Sequence, residues 1–177
     1  KKYVRNMTYT AILTAVLCVL SPLSVPIGAV PMTLGTLAVC IVSSVTGIGT
    51  GVVAVVLYVL LGAFGLPVFS SFQGGFHMLA GATGGYIVGY IPMALVIGLL
   101  LKVFRRKVWS YPIAMAAGVI VCYFFGTIWF SIQSARTFME SLTVCVLPFI
   151  GWDCIKIVLA CAIVVPVYKA VSNQFGI

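Results

Sequence analysis

Read along its length, the chain alternates long apolar runs with short stretches where charge, proline and glycine collect. The apolar runs occupy about residues 7–24, 33–46, 50–64, 78–101, 109–131 and 143–169. A helix needs about 20 apolar residues to cross the hydrocarbon core. The pattern therefore predicts an all-α integral membrane protein, a single domain over 1–177 with six transmembrane helices. The first run follows Lys1, Lys2 and Arg5, as a signal peptide would, but Pro22 and Pro26 stand where a small-residue cleavage site is needed. It is read as a retained first span.

The second and third runs are separated only by the stretch from Thr46 to Gly51, so their division needs a second argument. A single helix over 33–64 would be about 48 Å long, well beyond the hydrocarbon core. Charge parity agrees. Lys and Arg in short loops mark the cytoplasmic side, and they cluster at Lys1, Lys2 and Arg5 and at Lys102, Arg105, Arg106 and Lys107. Splitting 33–64 places four spans between the clusters and both on one side. With six spans, both termini are cytoplasmic, Lys169 is also inside, and Arg136 falls outside. The longest connections, about 22–33 and 65–77, are then extracellular. They are rich in Pro and Gly yet carry Leu23, Val25, Ile27, Val30, Leu66, Val68, Phe69 and Phe72. Such loops either rest in the headgroup region or fold as a lid over an outward-facing ligand pocket.

Composition reinforces the membrane assignment. The chain is 63% hydrophobic and 7% charged, against about 25% charged in soluble domains. Ten Lys plus Arg face two acids, Glu140 and Asp153, which excludes a soluble globule and enzymes that need several carboxylates. The basic residues lie between apolar runs rather than on a polar face, which argues against nucleic acid as a partner. Cys18, Cys40, Cys122, Cys145, Cys154 and Cys161 form no CxxC or Cys/His spacing, so no metal site is expected and small apolar packing residues are.

Asp153 and Lys156 are the charges inside a predicted span, and three positions apart they share one helix face. Each costs about 2.5–3.5 kcal/mol at mid-bilayer, so such residues face a bundle interior or a cavity. They form either a self-neutralising structural pair or the polar foot of a pocket for a small solute with N–H donors and acceptors. Trp152 is either a wall of that pocket or an interfacial anchor. Gly81, Gly85 and Gly89 repeat every four residues as a small-residue packing seam. The same stretch either serves packing alone or exposes the backbone of Thr83, Gly84 and Gly85 to a ligand, with Tyr86 stacking on it. Ala11 and Ala15 form another small-residue pair. His77 has no second ligand near it in sequence, and Arg136 and Glu140, spaced i,i+4, suit a solvated ion pair. No catalytic residue is expected: a nucleophile with its base, or a metal cluster, is missing from the pattern.

The segment Val56-Leu57-Tyr58-Val59-Leu60-Leu61-Gly62-Ala63-Phe64-Gly65-Leu66-Pro67-Val68-Phe69, followed by Gly74-Gly75 and Thr83-Gly84-Gly85-Tyr86, resembles the BioY family. So do Val30-Pro31-Met32-Thr33-Leu34 with Thr36-Leu37-Ala38-Val39, and Pro148-Phe149-Ile150 leading to Asp153 and Lys156, over about residues 10 to 165. That family is the biotin-specific substrate-binding (S) component of energy-coupling-factor (ECF) vitamin transporters. The resemblance implies a non-enzymatic, multi-pass plasma-membrane protein that captures biotin from outside, with no cofactor. Delivery would go through a transmembrane coupling protein and paired cytoplasmic ATPases. It implies biotin contacts at Asp153 and Lys156 and coupling-partner contacts at Ala11 and Ala15. Phe69 and Gln73 of the second lid segment join the expected ligand set. The chain has Gly35 where the family usually has Gln, and Gly151-Trp152 where it has Pro-Gly. The alternatives are an S component for a different vitamin and, further off, an intramembrane lipid-modifying enzyme.

Overall fold

The computed structural model describes residues 2–25 and 31–175; Lys1, Pro26, Ile27 and Val30 of the sequence reading lie outside the described residues. Eight α-helices account for most of it: α1 Lys2–Leu20, α2 Gly35–Val45, α3 Ile48–Ala63, α4 Phe76–Ala80, α5 Gly84–Val103, α6 Ser110–Ser134, α7 Phe138–Cys145 and α8 Leu147–Phe175. A two-residue hairpin pairs β1 (Ser24–Val25) antiparallel with β2 (Met32–Thr33), in register Ser24 to Thr33 and Val25 to Met32. Among the described residues, four helices are long and apolar enough to cross a membrane: α1, α5, α6 and α8. The helices α2 and α3 are apolar but shorter.

Helix boundaries follow local chemistry. α1 stops at Leu20, ahead of Pro22, whose ring disfavours helical backbone in the residue before it. α2 and α3 are separate helices. Thr46 and Gly47 between them are both extended, with ψ of −177° and 164°. The carbonyls freed at the end of α2 are taken up by Arg106, which donates to Ser44 O at 2.8 Å and to Thr46 O. The side chain of an element 60 residues away thus closes the helix end.

Two of the expected runs are broken where one helix was read. The run 78–101 is divided into α4 and α5 around an extended Gly81. The break depends on Gly84, since a Cβ there would run into the backbone of Leu79. α6 compensates the exposed carbonyls: Trp129 Nε1 donates to Gly81 O at 2.9 Å and Gln133 Nε2 to Ala80 O at 2.8 Å. The run 143–169 is divided at Val146 into α7 and α8, with Pro148 in the first turn of α8, where a missing N–H costs nothing. Glu140 closes a capping box with Thr137 at the start of α7, and no ion pair joins it to Arg136. The short helix takes the carboxylate because its amides would otherwise lack acceptors.

A main apolar core has Leu17, Val39, Val55, Met93, Ile97, Met115 and Val164 fully enclosed, and a smaller cluster of Phe130, Cys145 and Phe149 joins α6, α7 and α8. The closest partnership is α5 with α6. Gly85 and Gly89 of the expected seam lie on this face, since a Cβ at Gly85 would collide with Trp129 and one at Gly89 would touch Cys122. Gly81 does not join them, because it precedes α5.

Candidate functional site

Near the start of α8, Asp153 and Lys156 are 4% and 8% exposed, and Lys156 Nζ lies 2.8 Å from Asp153 Oδ1. The i,i+3 spacing makes that contact, and strand β2, the first turn of α2 and the middle of α6 complete it. Lys156 Nζ also donates to Thr33 O at 2.8 Å and to Thr36 Oγ1 at 3.1 Å. Thr36 Oγ1 in turn donates to Asp153 Oδ1 at 3.1 Å, while the Tyr123 hydroxyl donates to Asp153 Oδ2. An ammonium has three N–H donors, and all three of Lys156 are engaged here. The carboxylate has about four lone-pair sites, three of them filled. Burying two charges is tolerable only with this degree of satisfaction. Removing one partner of such a pair typically costs about 3–5 kcal/mol.

The pair sits in the wall of a cavity. Four tyrosines, Tyr58, Tyr86, Tyr90 and Tyr123, together with Ile87 and Phe149, give it a largely aromatic lining. Neighbouring elements hold the phenols in place. Tyr90 OH lies 3.4 Å from Thr33 Oγ1, and Tyr86 OH donates to Cys145 O at 3.4 Å. Gly35 matters at this point: the space a side chain would occupy is taken by the Tyr90 hydroxyl. Flat aromatic walls with a carboxylate and an ammonium at one edge suit a small, partly apolar solute that both donates and accepts hydrogen bonds.

Two connections close one end of the cavity. Ser21, Pro31, Met32 and Thr33 come from the first and Ser70 from the second. They are clasped together: Ser71 N donates to Pro22 O and to Ser24 Oγ, each at 3.0 Å, and Ser24 Oγ lies 3.0 Å from Ser71 Oγ. Val68 and Phe69 turn inward beneath this clasp, whereas Leu23, Val25, Leu66 and Phe72 stay exposed. Of the two readings of these loops, the second connection is thus partly folded into the bundle.

Of the site residues read from sequence, Asp153, Lys156, Tyr86 and Thr83 line the cavity together. The others do not. Phe69 is fully buried behind it, edge-on to Tyr58 at 5.6 Å between ring centroids. Gln73 is exposed and bridges its backbone to Phe69. Trp152 is 50% exposed and lies on an outer groove with Leu23, Val25 and Leu37, because its position next to Asp153 turns it about 100° away around the helix. Gly84 and Gly85 serve packing, against Leu79 and Trp129, rather than presenting backbone to the cavity. Ala11 and Ala15 are exposed on α1, opposite the buried Leu13 and Leu17. The sequence reading missed Thr33, Thr36, Tyr58, Tyr90 and Tyr123 as site residues. Tyr123 had a signal, a phenol in the middle of an apolar run, where a buried hydroxyl must find a partner. Thr36 had none, since a threonine can satisfy itself on its own helix.

The cavity and the two basic clusters of the sequence lie at opposite ends of the bundle. α2 runs from Thr36 at the cavity to Thr46, and α5 runs from Tyr86 to Lys102. Arg5, Thr46, Lys102, Arg105, Arg106 and Tyr168 meet at the far end. The sequence clusters at the start of the chain and after α5 therefore converge in space.

Comparison with known proteins agrees over nearly the whole chain. A protein of Thermotoga maritima named biotin transporter BioY is 38% identical over 167 residues, covering 93% of this chain and 96% of that relative. Biotin transporter BioY2 of Lactococcus lactis subsp. cremoris is 32% identical over 168 residues, covering 95% and 92%. A crystal structure of the S-component for biotin from an ECF-type ABC transporter superposes with a TM-score of 0.87 at 31% identity, covering 96% of this chain and 92% of that one. The family model described as BioY matches residues 1–173. With the fold, the chain length and the sequence all matching, this chain belongs to the BioY family.

Proposed function

We propose that the chain is the biotin-capturing S component of an ECF-type importer in the plasma membrane. It binds biotin from outside and passes it to a transmembrane coupling protein with paired cytoplasmic ATPases. The observation that carries this reading is the buried Asp153–Lys156 pair at the edge of an aromatic cavity, in a chain whose relatives are named biotin transporters. The carboxylate accepts a ureido N–H of biotin at its unfilled site, and a phenol, or Lys156 on giving up a protein partner, donates to an oxygen. Tyr86 and Tyr90 flank the fused rings, and Thr83 lies at the rim. The protein performs no chemistry on its ligand. Its relatives are named as transporters, not enzymes.

Six spans with both ends cytoplasmic suit this task. The positive-inside rule places the end holding Arg5, Lys102 and Arg105 in the cytoplasm, and the cavity then opens outward. α2, with 11 residues, is about 16 Å long and falls short of the hydrocarbon core. The hairpin and its flanks complete that passage, and non-helical backbone at such depth is tolerated where it lines a cavity. Ala11 and Ala15 form the exposed small-residue face on which the coupling protein docks.

Calorimetry on the purified protein in detergent tests the ligand. Biotin should bind, and Asp153→Asn should weaken it by about 100-fold or more, a loss of roughly 3 kcal/mol. Binding that is absent, or indifferent to Asp153, overturns the reading. Running a panel of other vitamins alongside separates biotin from a sibling specificity.

A further inference from the structure

The end of the bundle away from the ligand cavity holds an open cleft between the start of α1, the α2–α3 junction, the end of α5 and Tyr168 of α8. Arg5, Lys102, Arg105 and Arg106 line it. Among the described residues no carboxylate lines it, and the chain's two acids, Glu140 and Asp153, lie on α7 and at the cavity end of α8. Its inner wall is apolar, with Val45, Ile48 and Leu101.

The cleft is built rather than incidental. Arg106 is held by Ser44 O and Thr46 O, and its guanidinium sits 4.5 Å from the centroid of the Tyr168 ring. Arg105 and Arg106 both adopt left-handed backbone, with φ of 51°. That conformation is uncommon for long side chains, and glycine would adopt it without strain. The turn is fixed by Arg105 N on Lys102 O at 3.3 Å and Arg106 N on Leu101 O at 2.9 Å, and both arginines face the cleft. Strain of this kind persists where the surroundings over-determine it, and it gathers at binding sites.

We propose that this cleft binds the phosphate headgroup of an anionic phospholipid, with the first carbons of an acyl chain against Ile48 and Leu101. Lys102 and Arg105, with no carboxylate among the described residues that line the cleft, supply the affinity for a phosphodiester. The apolar inner wall, at the end of the bundle assigned to the cytoplasmic interface, favours a lipid over a soluble anion. The assignment to the cytoplasmic leaflet rests on the topology given above; the cleft itself does not depend on the ligand at the other end.

Native mass spectrometry of the detergent-purified protein tests this, with titration of phosphatidylglycerol and of phosphatidylcholine carrying the same acyl chains. Phosphatidylglycerol should be retained selectively. Lys102→Gln with Arg105→Gln should lower that retention by about tenfold or more, in line with the attraction of each basic residue for an anionic surface. Lys107→Gln, in the same turn but outside the cleft, should leave it within about twofold of wild type, and biotin binding should be unchanged in all variants. Equal retention of the two lipids overturns the proposal, as does a Lys107→Gln loss matching that of the double variant. Inorganic phosphate that displaces phosphatidylglycerol would make the ligand a soluble anion and also overturn it. Loss of assembly with a coupling module at undiminished lipid retention would identify a protein-docking surface instead. A protein that retains phosphatidylglycerol but ignores biotin would overturn the functional reading alone.

Discussion

Asp153 and Lys156 are read differently once their partners are known. From sequence they are a charge pair on one helix face. In the fold, every donor of Lys156 is already spent on Asp153, Thr33 and Thr36, and Asp153 keeps about one unfilled lone-pair site. A ligand that meets this pair must use that remaining site or displace a protein partner. Tyr123 is the informative residue, because its hydroxyl fixes Oδ2 and its ring lines the cavity. Tyr123→Phe keeps the ring and removes the donor. Hydrogen bonds to charged groups contribute about 1.5–3 kcal/mol, so we expect biotin affinity to fall by about 10- to 100-fold in a calorimetric titration. Unchanged affinity would mean that Tyr123 only fills space. Asp153 and Lys156 were legible because a charge in an apolar run demands an explanation. The threonines were not, because a hydroxyl in a membrane helix demands none.

At the scale of the element, glycine spacing is a weaker guide than the space each glycine leaves. The four-residue repeat at Gly81, Gly85 and Gly89 treats the three as equivalent, and the fold separates them. Gly81 ends α4, Gly85 lies hard against Trp129 and Phe125 O, and Gly89 has a contact of 3.4 Å, ordinary for a methyl group. Gly85→Ala should therefore cost about 1–3 kcal/mol by overpacking, lowering the melting temperature measured by scanning fluorimetry. Gly89→Ala should be close to neutral. Similar shifts for the two would refute the packing argument. The same scale explains the broken runs. Hydropathy is blind to Gly81 and Val146 as interruptions, since both are apolar or small, and only the hydrogen bonds from Trp129 and Gln133 across to α4 reveal where the helix lets go.

For the whole molecule, the proposed ligand site and the proposed docking face are separate surfaces. The exposed Ala11 and Ala15 lie on the outside of α1, away from the cavity. Ala11→Trp should thus leave biotin binding within about twofold of wild type by calorimetry, while blocking biotin uptake in cells that express the coupling module, since a small-residue seam admits a partner helix only without bulk. Parallel loss of binding and uptake would contradict that division. The topology has its own test. In a cysteine-free background, Gln73→Cys should react with an impermeant maleimide in intact cells, and Lys107→Cys only after permeabilisation. The reverse pattern would invert the molecule.

Sequence alone determined the membrane as solvent, the division of 33–64 into two helices, and Asp153 with Lys156 as the polar focus. These follow from transfer free energies and helix rise, which are properties of single residues and short segments. The tertiary structure decided which neighbours complete the site. It brought Thr36 within reach of Asp153 across 117 positions and Tyr123 across 30, turned Trp152 and Gln73 away, and withdrew Phe69 into the core. It also gathered Arg5, Lys102, Arg105 and Arg106 around one cleft. Such pairings depend on how helices rotate and pack against one another. In a chain where nearly every helix is apolar on all sides, no periodicity announces which face turns inward.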